Sequence, residues 1–219
     1  MKVLEIFAGS RSIGKSAEFL GFDVFSIDIN DFSKIDYVVD VLNIDLDQIP
    51  FIPDIIWASP PCTSFSVASM AKHWTKDNKP KTESAKNGLA LVEKTIDIIQ
   101  YYQALNSDLI WYIENPRGKL RKLIKTHEGK RRTVTFCQYN DKRMKPTDIW
   151  TNNLQWLPVP MCKNNDSCHE SAPRGSQTGT QGLKNNYERS KIPAALCVDV
   201  LLSAYKSIRS WKNITIDLF

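Results

Sequence analysis

The sequence predicts an α/β fold with a mainly parallel sheet and helices on both faces. Three observations predict it. Apolar, strand-like runs alternate with amphipathic helical stretches; the chain opens with a strand, a small-residue loop and a helix; and polar residues stand where successive buried runs end. At 219 residues the chain has the length of one sizeable domain, or of one domain with a small appendage. A hydrophobic fraction of 42% and six tryptophans suit a packed core and argue against a disordered chain. No apolar run reaches the length of a membrane span. Met1-Lys2-Val3-Leu4-Glu5 lacks a signal-peptide layout, and five irregularly spaced cysteines fit a reducing compartment, so a cytoplasmic location is expected.

Lys2 to Phe7, apolar at Val3, Leu4, Ile6 and Phe7, predicts the first buried strand. Ala8-Gly9-Ser10-Arg11-Ser12 follows as the small-residue loop. Ile13 to Leu20 predicts a helix with Ser12 as candidate N-cap. Phe22 to Ile27 is the second strand, with Asp28 at its carboxyl end, and Asp40 ends the short run Tyr37-Val38-Val39 in the same manner. Acids at such positions take ribose hydroxyls of nucleoside ligands, or are solvated loop residues. Ile55-Ile56-Trp57 predicts a fourth strand leading into Ala58-Ser59-Pro60-Pro61-Cys62-Thr63-Ser64-Phe65-Ser66. A cysteine held there by Pro-Pro is either a packing residue or a presented nucleophile.

Val67 to Lys86 is polar and long for a connection, which predicts a mobile functional loop. Asn87 to Leu105 predicts an amphipathic helix with Leu89, Val92, Ile96 and Ile99 on one face. Leu109 to Ile113 is a fifth strand ending in Glu114-Asn115-Pro116. In such sheets the site lies at the strands' carboxyl ends, so Cys62 and Glu114 are expected to face one crevice.

The net charge of +5 is mild, but Arg117, Lys119, Arg121, Lys122, Lys125, Lys130, Arg131 and Arg132 meet only Glu128 between them. That run is a solvated face or a phosphate-contacting surface. Thr133 to Cys137 alternates like a strand, a turn follows at Asn140-Asp141, and Asp148 to Thr151 is a short strand. Asn152 to Glu188, rich in Pro, Asn, Ser, Gly and Thr, predicts a small irregular subdomain. Its Cys162, Cys168 and His169, with Cys137 upstream, are able to supply zinc ligands; their spacing matches no standard finger, and unligated thiols are the other reading. Pro173 to Gly182, rich in hydrogen-bond donors, either reads a groove or links two elements. Lys191 to Trp211 predicts a closing helix with Leu196, Val200, Leu201 and Ala204 inward and Pro193 in its first turn.

A thiolate, a carboxylic acid and a nucleoside pocket at one crevice suit one chemistry. Adding a thiolate to the 6-carbon of a pyrimidine activates its 5-carbon, provided an acid neutralises the charge that builds on the ring. At these residues the chain resembles the cytosine-5 DNA methyltransferase family along most of its length. It looks like a compact, phage- or bacterial-like member with a reduced target-recognition region. Phe7-Ala8-Gly9 resembles the family's S-adenosylmethionine loop, Pro60-Pro61-Cys62 with Phe65-Ser66 its nucleophile motif, and Glu114-Asn115-Pro116 its acid motif.

The resemblance implies a Rossmann-like S-adenosylmethionine-dependent methyltransferase fold. It divides the chain into a catalytic and cofactor-binding core (1–151), a target-recognition segment (152–188) and a C-terminal helix completing the core (189–219). It implies methyl transfer to the 5-carbon of cytosine in DNA through a Cys62 adduct on a flipped base. The alternatives are the same reaction on RNA, or a non-catalytic protein that binds nucleic acid; protection of a genome, as in restriction–modification, is the biological role it suggests. Cys62 and Glu114 would be catalytic, and Arg143 would orient the base and Glu114. Phe7, Ala8, Gly9, Ser10, Asp28, Ile29, Asp40, Val41, Pro61 and Leu89 would contact the donor, and Ser190 would open the segment closing its pocket. Val67 to Lys86 would close over the flipped nucleotide. Two departures stand out. Ser10-Arg11-Ser12 replaces further glycine, with Arg11 either pairing an anionic group of the donor or pointing to solvent, and Lys145 stands where a second arginine is expected.

Overall fold

The apolar runs form one seven-stranded sheet in a computed structural model, described here for residues 1–124, 129–171 and 185–216. Strands β1 (Lys2–Ile6), β2 (Asp23–Asp28), β3 (Tyr37–Val38), β4 (Ile55–Ala58) and β5 (Ile110–Pro116) are parallel. A hairpin of β6 (Lys130–Thr135) and β7 (Pro146–Thr151) adds two strands, with β7 antiparallel to both β5 and β6. The order β3-β2-β1-β4-β5-β7-β6 reverses direction between β1 and β4. In doubly wound sheets ligands bind at that reversal, outside the carboxyl ends of the strands. The fold is Rossmann-like, as the sequence predicts.

Helices cover both faces, and the pleat explains why the central strands β1, β4 and β5 are apolar over most of their length. Leu4, Ile6, Ile56, Ala58, Trp111 and Ile113 face α3 (Glu83–Leu105) with its Ala85, Val92, Ile98 and Ile99. The intervening Val3, Ile55, Trp57, Ile110 and Tyr112 face Ile13 and Ala17 of α1 (Ser12–Phe19) and Leu196, Val200, Leu201 and Ala204 of α5 (Ala194–Ile216). Successive strand residues therefore enter opposite cores, which leaves no polar face. Two short helices, α2 (Met70–His73) and α4 (Asn186–Ser190), lie in the connections. Among the described residues no helix is long and apolar enough to cross a membrane.

Several local expectations change. Ser12 is not the N-cap of α1. Arg11 occupies that position in the left-handed region (φ 54°), and its side chain makes no cap bond. The cap acceptor comes from β1 instead: Glu5 accepts the Ile13 N–H through Oε1 at 3.0 Å and a second bond from the Gly14 N–H. A carboxyl from the neighbouring strand does the work that a local serine would do. Helix α3 starts at Glu83, earlier than apolar periodicity indicates, because Thr82 caps it through the Ala85 N–H. Strand β6 ends at Thr135, where residues Phe136–Tyr139 form a 3-10 turn.

The segment after Cys62 is a packed structure rather than a bare connection. Trp74 is buried, stacks on Phe65 with ring centroids 5.7 Å apart, and donates its indole N–H to the Ser64 carbonyl at 2.7 Å. His73 Nδ1 lies 2.7 Å from Thr82 Oγ1. Gly118 is required beside it, since a Cβ there would run into the Phe65 carbonyl oxygen.

Candidate active site

The loop after β1 curls so that Phe7, Gly9 and Arg11 all lie at positive φ (59°, 48° and 54°). Positive φ is uncommon for a bulky residue such as Phe7 and marks a loop shaped by its surroundings. Gly9 supplies the turn at no steric cost, and a Cβ on it would meet nothing within 4 Å, so the space above the loop is open. Asp28, buried at the end of β2, accepts the Gly9 N–H at 2.9 Å with one oxygen and the Asn30 N–H at 2.8 Å with the other. Next to it Ile29 is 63% exposed, an apolar side chain held out at the strand ends. Asp40 caps the following 3-10 turn through the Leu42 N–H, while Val41 is buried. Leu89 is half-buried against the α3-side core.

The far wall of this crevice comes from the C-terminal part of the chain. Ser10 and Ser12 share a hydrogen bond (2.9 Å), and Ser12 Oγ accepts the Ile192 N–H at 3.1 Å. Tyr187 on α4 packs against Phe32 with ring centroids 5.4 Å apart, and Ser190 hydrogen-bonds the Tyr187 carbonyl at 2.7 Å. Loop 7–12, the segment after β2 and α4 with its following residues are thus held side by side. Phe32 and Tyr187 carry no sequence motif, since their pairing joins residues far apart in the chain.

Arg11 does not point to solvent, and its Nη1 is buried without a hydrogen-bond partner. It is buried, its Nε donates to Ser26 Oγ at 3.0 Å, and an Nη2 donates to Glu18 at 2.8 Å. It turns away from solvent into the fold. Glu5, buried beside it and hydrogen-bonded by Ser26, is pushed up to about 7, chiefly by burial. The N-terminal amides of α1, which hold a pyrophosphate in dinucleotide folds, are therefore filled by the protein's own Glu5. The crevice suits a nucleoside ligand without phosphates.

The second half of the site lies across the switch point. Strands β4 and β5 run side by side with Ala58 opposite Ile113, so both of their following motifs emerge together. Asn115 ties them directly by donating from Nδ2 to the Pro60 carbonyl at 2.8 Å. Cys62 is exposed beyond Pro61. Although exposed as a residue, its thiol is pushed up mainly by the protein walls that withhold water, while the Lys145 charge opposes this. Glu114 is buried, at 6% exposure, and burial raises its carboxyl above the ordinary range against the opposing effects of Lys145 and a Ser59 hydrogen bond. Its Oε1 is buried with no partner, as is Oδ1 of Asn115. A buried oxygen left unpaired is costly unless a ligand supplies the bond.

Lys145 is the cation with the largest effect on Cys62, with Arg189 adding to it. It feels both Cys62 and Glu114, stands 4.7 Å from the Phe136 ring centroid, and donates to the Arg189 carbonyl at 2.9 Å. Arg143 is placed differently. Its guanidinium binds the Asp141 carboxylate and donates to the carbonyls of Glu188, Arg189 and Lys191 at 3.4, 3.2 and 3.0 Å. It holds the end of α4 in place, and no hydrogen bond to Glu114 is seen. Nearby, Cys137, Cys162, Cys168 and His169 also come together.

The basic stretch divides in two. Lys119 is buried and donates to Asn78 Oδ1 at 2.8 Å. Arg121 forks onto the fully buried Asp148 with two 2.6 Å bonds, so these two cations serve the fold. Arg117 and Lys122 stay exposed and, with Lys76 and Lys81, line an apolar-floored groove of about 700 Å³ beside Val67 and Trp74. Lys125 and Glu128, like the donor-rich segment Pro173 to Gly182, lie outside the described residues.

No family model matches the chain. It is 29% identical over 221 residues to the probable DNA (cytosine-5)-methyltransferase of Frog virus 3 (isolate Goorha), a match covering 92% of this chain and 99% of that one. The resemblance to cytosine-5 DNA methyltransferases thus extends along nearly the whole of both chains. Among solved structures, it is similar to the Dnmt2 methyltransferase of S. pombe (TM-score 0.46, 14% identity, 75% of this chain and 56% of that one). It is also similar to a Spodoptera frugiperda DNMT2 mutant (TM-score 0.42, 20% identity, 74% and 53%). The chain spans just over half the length of these two.

Proposed function

We propose that this chain, which resembles the cytosine-5 DNA methyltransferases over most of its length, transfers a methyl group from S-adenosylmethionine to the 5-carbon of cytosine in DNA. The observation that carries the reading is Glu114: a buried carboxyl that burial makes readier to hold its proton, with one oxygen unpaired beside the Cys62 loop. Cytosine sets an acceptor, N3, beside a donor amine on one edge. A neutral carboxyl sets a donor beside an acceptor and complements that edge, whereas a uracil edge, with a donor at N3, does not.

The chain's own groups then act in order. Cys62 loses its proton to water at the exposed mouth, and its sulfur bonds to the 6-carbon as Glu114 passes its proton to N3. The ring gains nucleophilic character at the 5-carbon without building a full negative charge. When bound, S-adenosylmethionine supplies an electrophilic methyl group on a sulfonium. A base then removes the 5-proton, the bond from sulfur to the 6-carbon breaks, and Glu114 regains its proton from N3. Lys145 favours the thiolate throughout by its charge.

The donor fits the first crevice. Loop 7–10 with its open space over Gly9, the acid Asp28, exposed Ile29 and α4 suit an adenosine, and the start of α1 is already taken by Glu5. Asp40, Val41, Pro61, Leu89 and Ser190 belong to this reading as the family's remaining donor contacts. Arg143 acts by fixing the wall that Ser190 starts. The cation-lined groove beyond Val67 supplies phosphate contacts, and residues 152–188 supply the target reading. The substrate choice rests on the name of the Frog virus 3 relative. Transfer of labelled methyl groups to matched DNA and RNA tests it: labelled 5-methylcytosine in DNA is expected, and label in RNA alone overturns it.

A further inference from the structure

Cys137 lies in the 3-10 turn after β6, while Cys162, Cys168 and His169 lie in the irregular segment following β7. Folding brings their three sulfurs and one imidazole nitrogen within 4.8 Å of one another. Cys137 Sγ is 3.1 Å from Cys162 Sγ and 3.5 Å from Cys168 Sγ; His169 Nδ1 is 3.7 Å from Cys162 Sγ and 3.6 Å from Cys168 Sγ. Tetrahedral zinc bonds of about 2.3 Å to sulfur and about 2.0 Å to nitrogen place such ligands roughly 3.5–3.8 Å apart. The sulfur–nitrogen distances match; the Cys137–Cys168 sulfurs are slightly closer, and the Cys137–Cys162 sulfurs would move apart to admit the metal.

We propose that these four residues form a closed Cys3His zinc site with a structural role, independent of the methyl-transfer reading. Ordinary packing gives no reason for three thiols and an imidazole to converge where the irregular segment has so little apolar core. Trp156 is its one large apolar side chain in the core among the described residues, while Leu154, Leu157 and Met161 stay exposed. Supporting bonds orient the ligands: the Cys162 N–H donates to Thr135 Oγ1 at 3.1 Å, and the Gln138 amide donates to Cys168 Sγ at 3.4 Å, the kind of outer contact that stabilises a thiolate ligand. Four protein ligands leave no open position for a water, which makes the site structural rather than catalytic.

The position gives the metal a consequence. Cys137 adjoins Phe136, whose ring lies against Lys145 and Arg143. After the last ligand, the Glu170 N–H donates to the Lys142 carbonyl at 2.9 Å. The zinc therefore staples the segment after β7 to the turn that supports the active-site cation. It replaces the hydrophobic core that a segment this short cannot build.

Metal analysis and zinc-edge X-ray absorption of the purified full chain, reduced and without added metal, test this. About one zinc per chain is expected, with three sulfurs and one nitrogen in the first shell. Cys168→Ser should lose most of the metal and Cys62→Ala should keep it. If Cys168→Ser does not fold, the absorption spectrum of the unaltered protein still decides. Folded protein without metal overturns the site, as does a Cys137–Cys162 disulfide in its place, or zinc that follows Cys62 instead.

Discussion

Lys145 and Arg143 are two residues apart, yet they sit in different circumstances. Arg143 is engaged by Asp141 and three backbone carbonyls, while the Lys145 charge reaches both Cys62 and Glu114. Sequence separates them poorly, because only the fold shows which cation turns toward the crevice. Lys145→Met should raise the pH at which Cys62 is alkylated by iodoacetamide, since the ammonium is the largest influence opposing the rise caused by the crevice walls, ahead of Arg189. An unchanged midpoint would separate Lys145 from the thiol. Glu114→Gln keeps the shape but offers no acidic proton, so kcat for methyl transfer should fall by about 10²–10⁴ with donor binding retained. Single-turnover kinetics with separate binding measurements distinguish the two effects. By contrast, Cys62 and Glu114 were both legible, because each follows an apolar run that ends at proline or asparagine-proline.

The elements that hold these residues were legible wherever burial sets the pattern. Continuous apolar runs become parallel strands with two buried faces, and the α5 positions Leu196, Val200, Leu201 and Ala204 pack as their spacing indicates. Contacts between distant elements were not. Nothing local says that Glu5 rather than Ser12 caps α1, because the acceptor reaches it from the adjacent strand. That cap has a pH signature. Burial raises the folded Glu5 carboxyl from 4.5 to about 7. Below pH 4.5 both states hold the proton; between 4.5 and 7 the unfolded chain releases it first, so stability falls as pH rises. The loss amounts to about 3 kcal/mol at most. Urea unfolding should show this slope in the unaltered protein and its reduction in Glu5→Gln; an identical slope in both would assign it elsewhere. The basic stretch behaves likewise, since Arg121 answers to Asp148, 27 residues away. Arg121→Ala leaves the buried Asp148 carboxylate without its counter-charge, with the Thr133 hydroxyl still donating to it, and should destabilise the fold by roughly 3–5 kcal/mol. A loss under 1 kcal/mol on chemical unfolding would mean that Asp148 finds another partner.

Across the whole molecule, two crevices meet at the reversal between β1 and β4. One is formed by loop 7–12, the β2 end and α4; the other by the loops after β4 and β5. The strand order explains why residues from Phe7 to Ser190 converge, and the hairpin of β6 and β7 brings Lys145 to their boundary. A methyl donor on one side and a flipped base on the other would have their reacting atoms at that boundary, above Cys62. The region that would select the target sequence is the part least legible, since residues 152–188 carry little periodicity, and among the described ones Cys162, Cys168 and His169 gather with Cys137 through no local pattern. The central claim, that Cys62 attacks a cytosine ring, is tested most directly by mass spectrometry of the protein incubated with S-adenosylmethionine and DNA containing 5-fluorocytosine. Fluorine cannot leave as a proton does, so the adduct should accumulate, with the modified base attached to Cys62. DNA that binds and is released without any adduct would contradict the account.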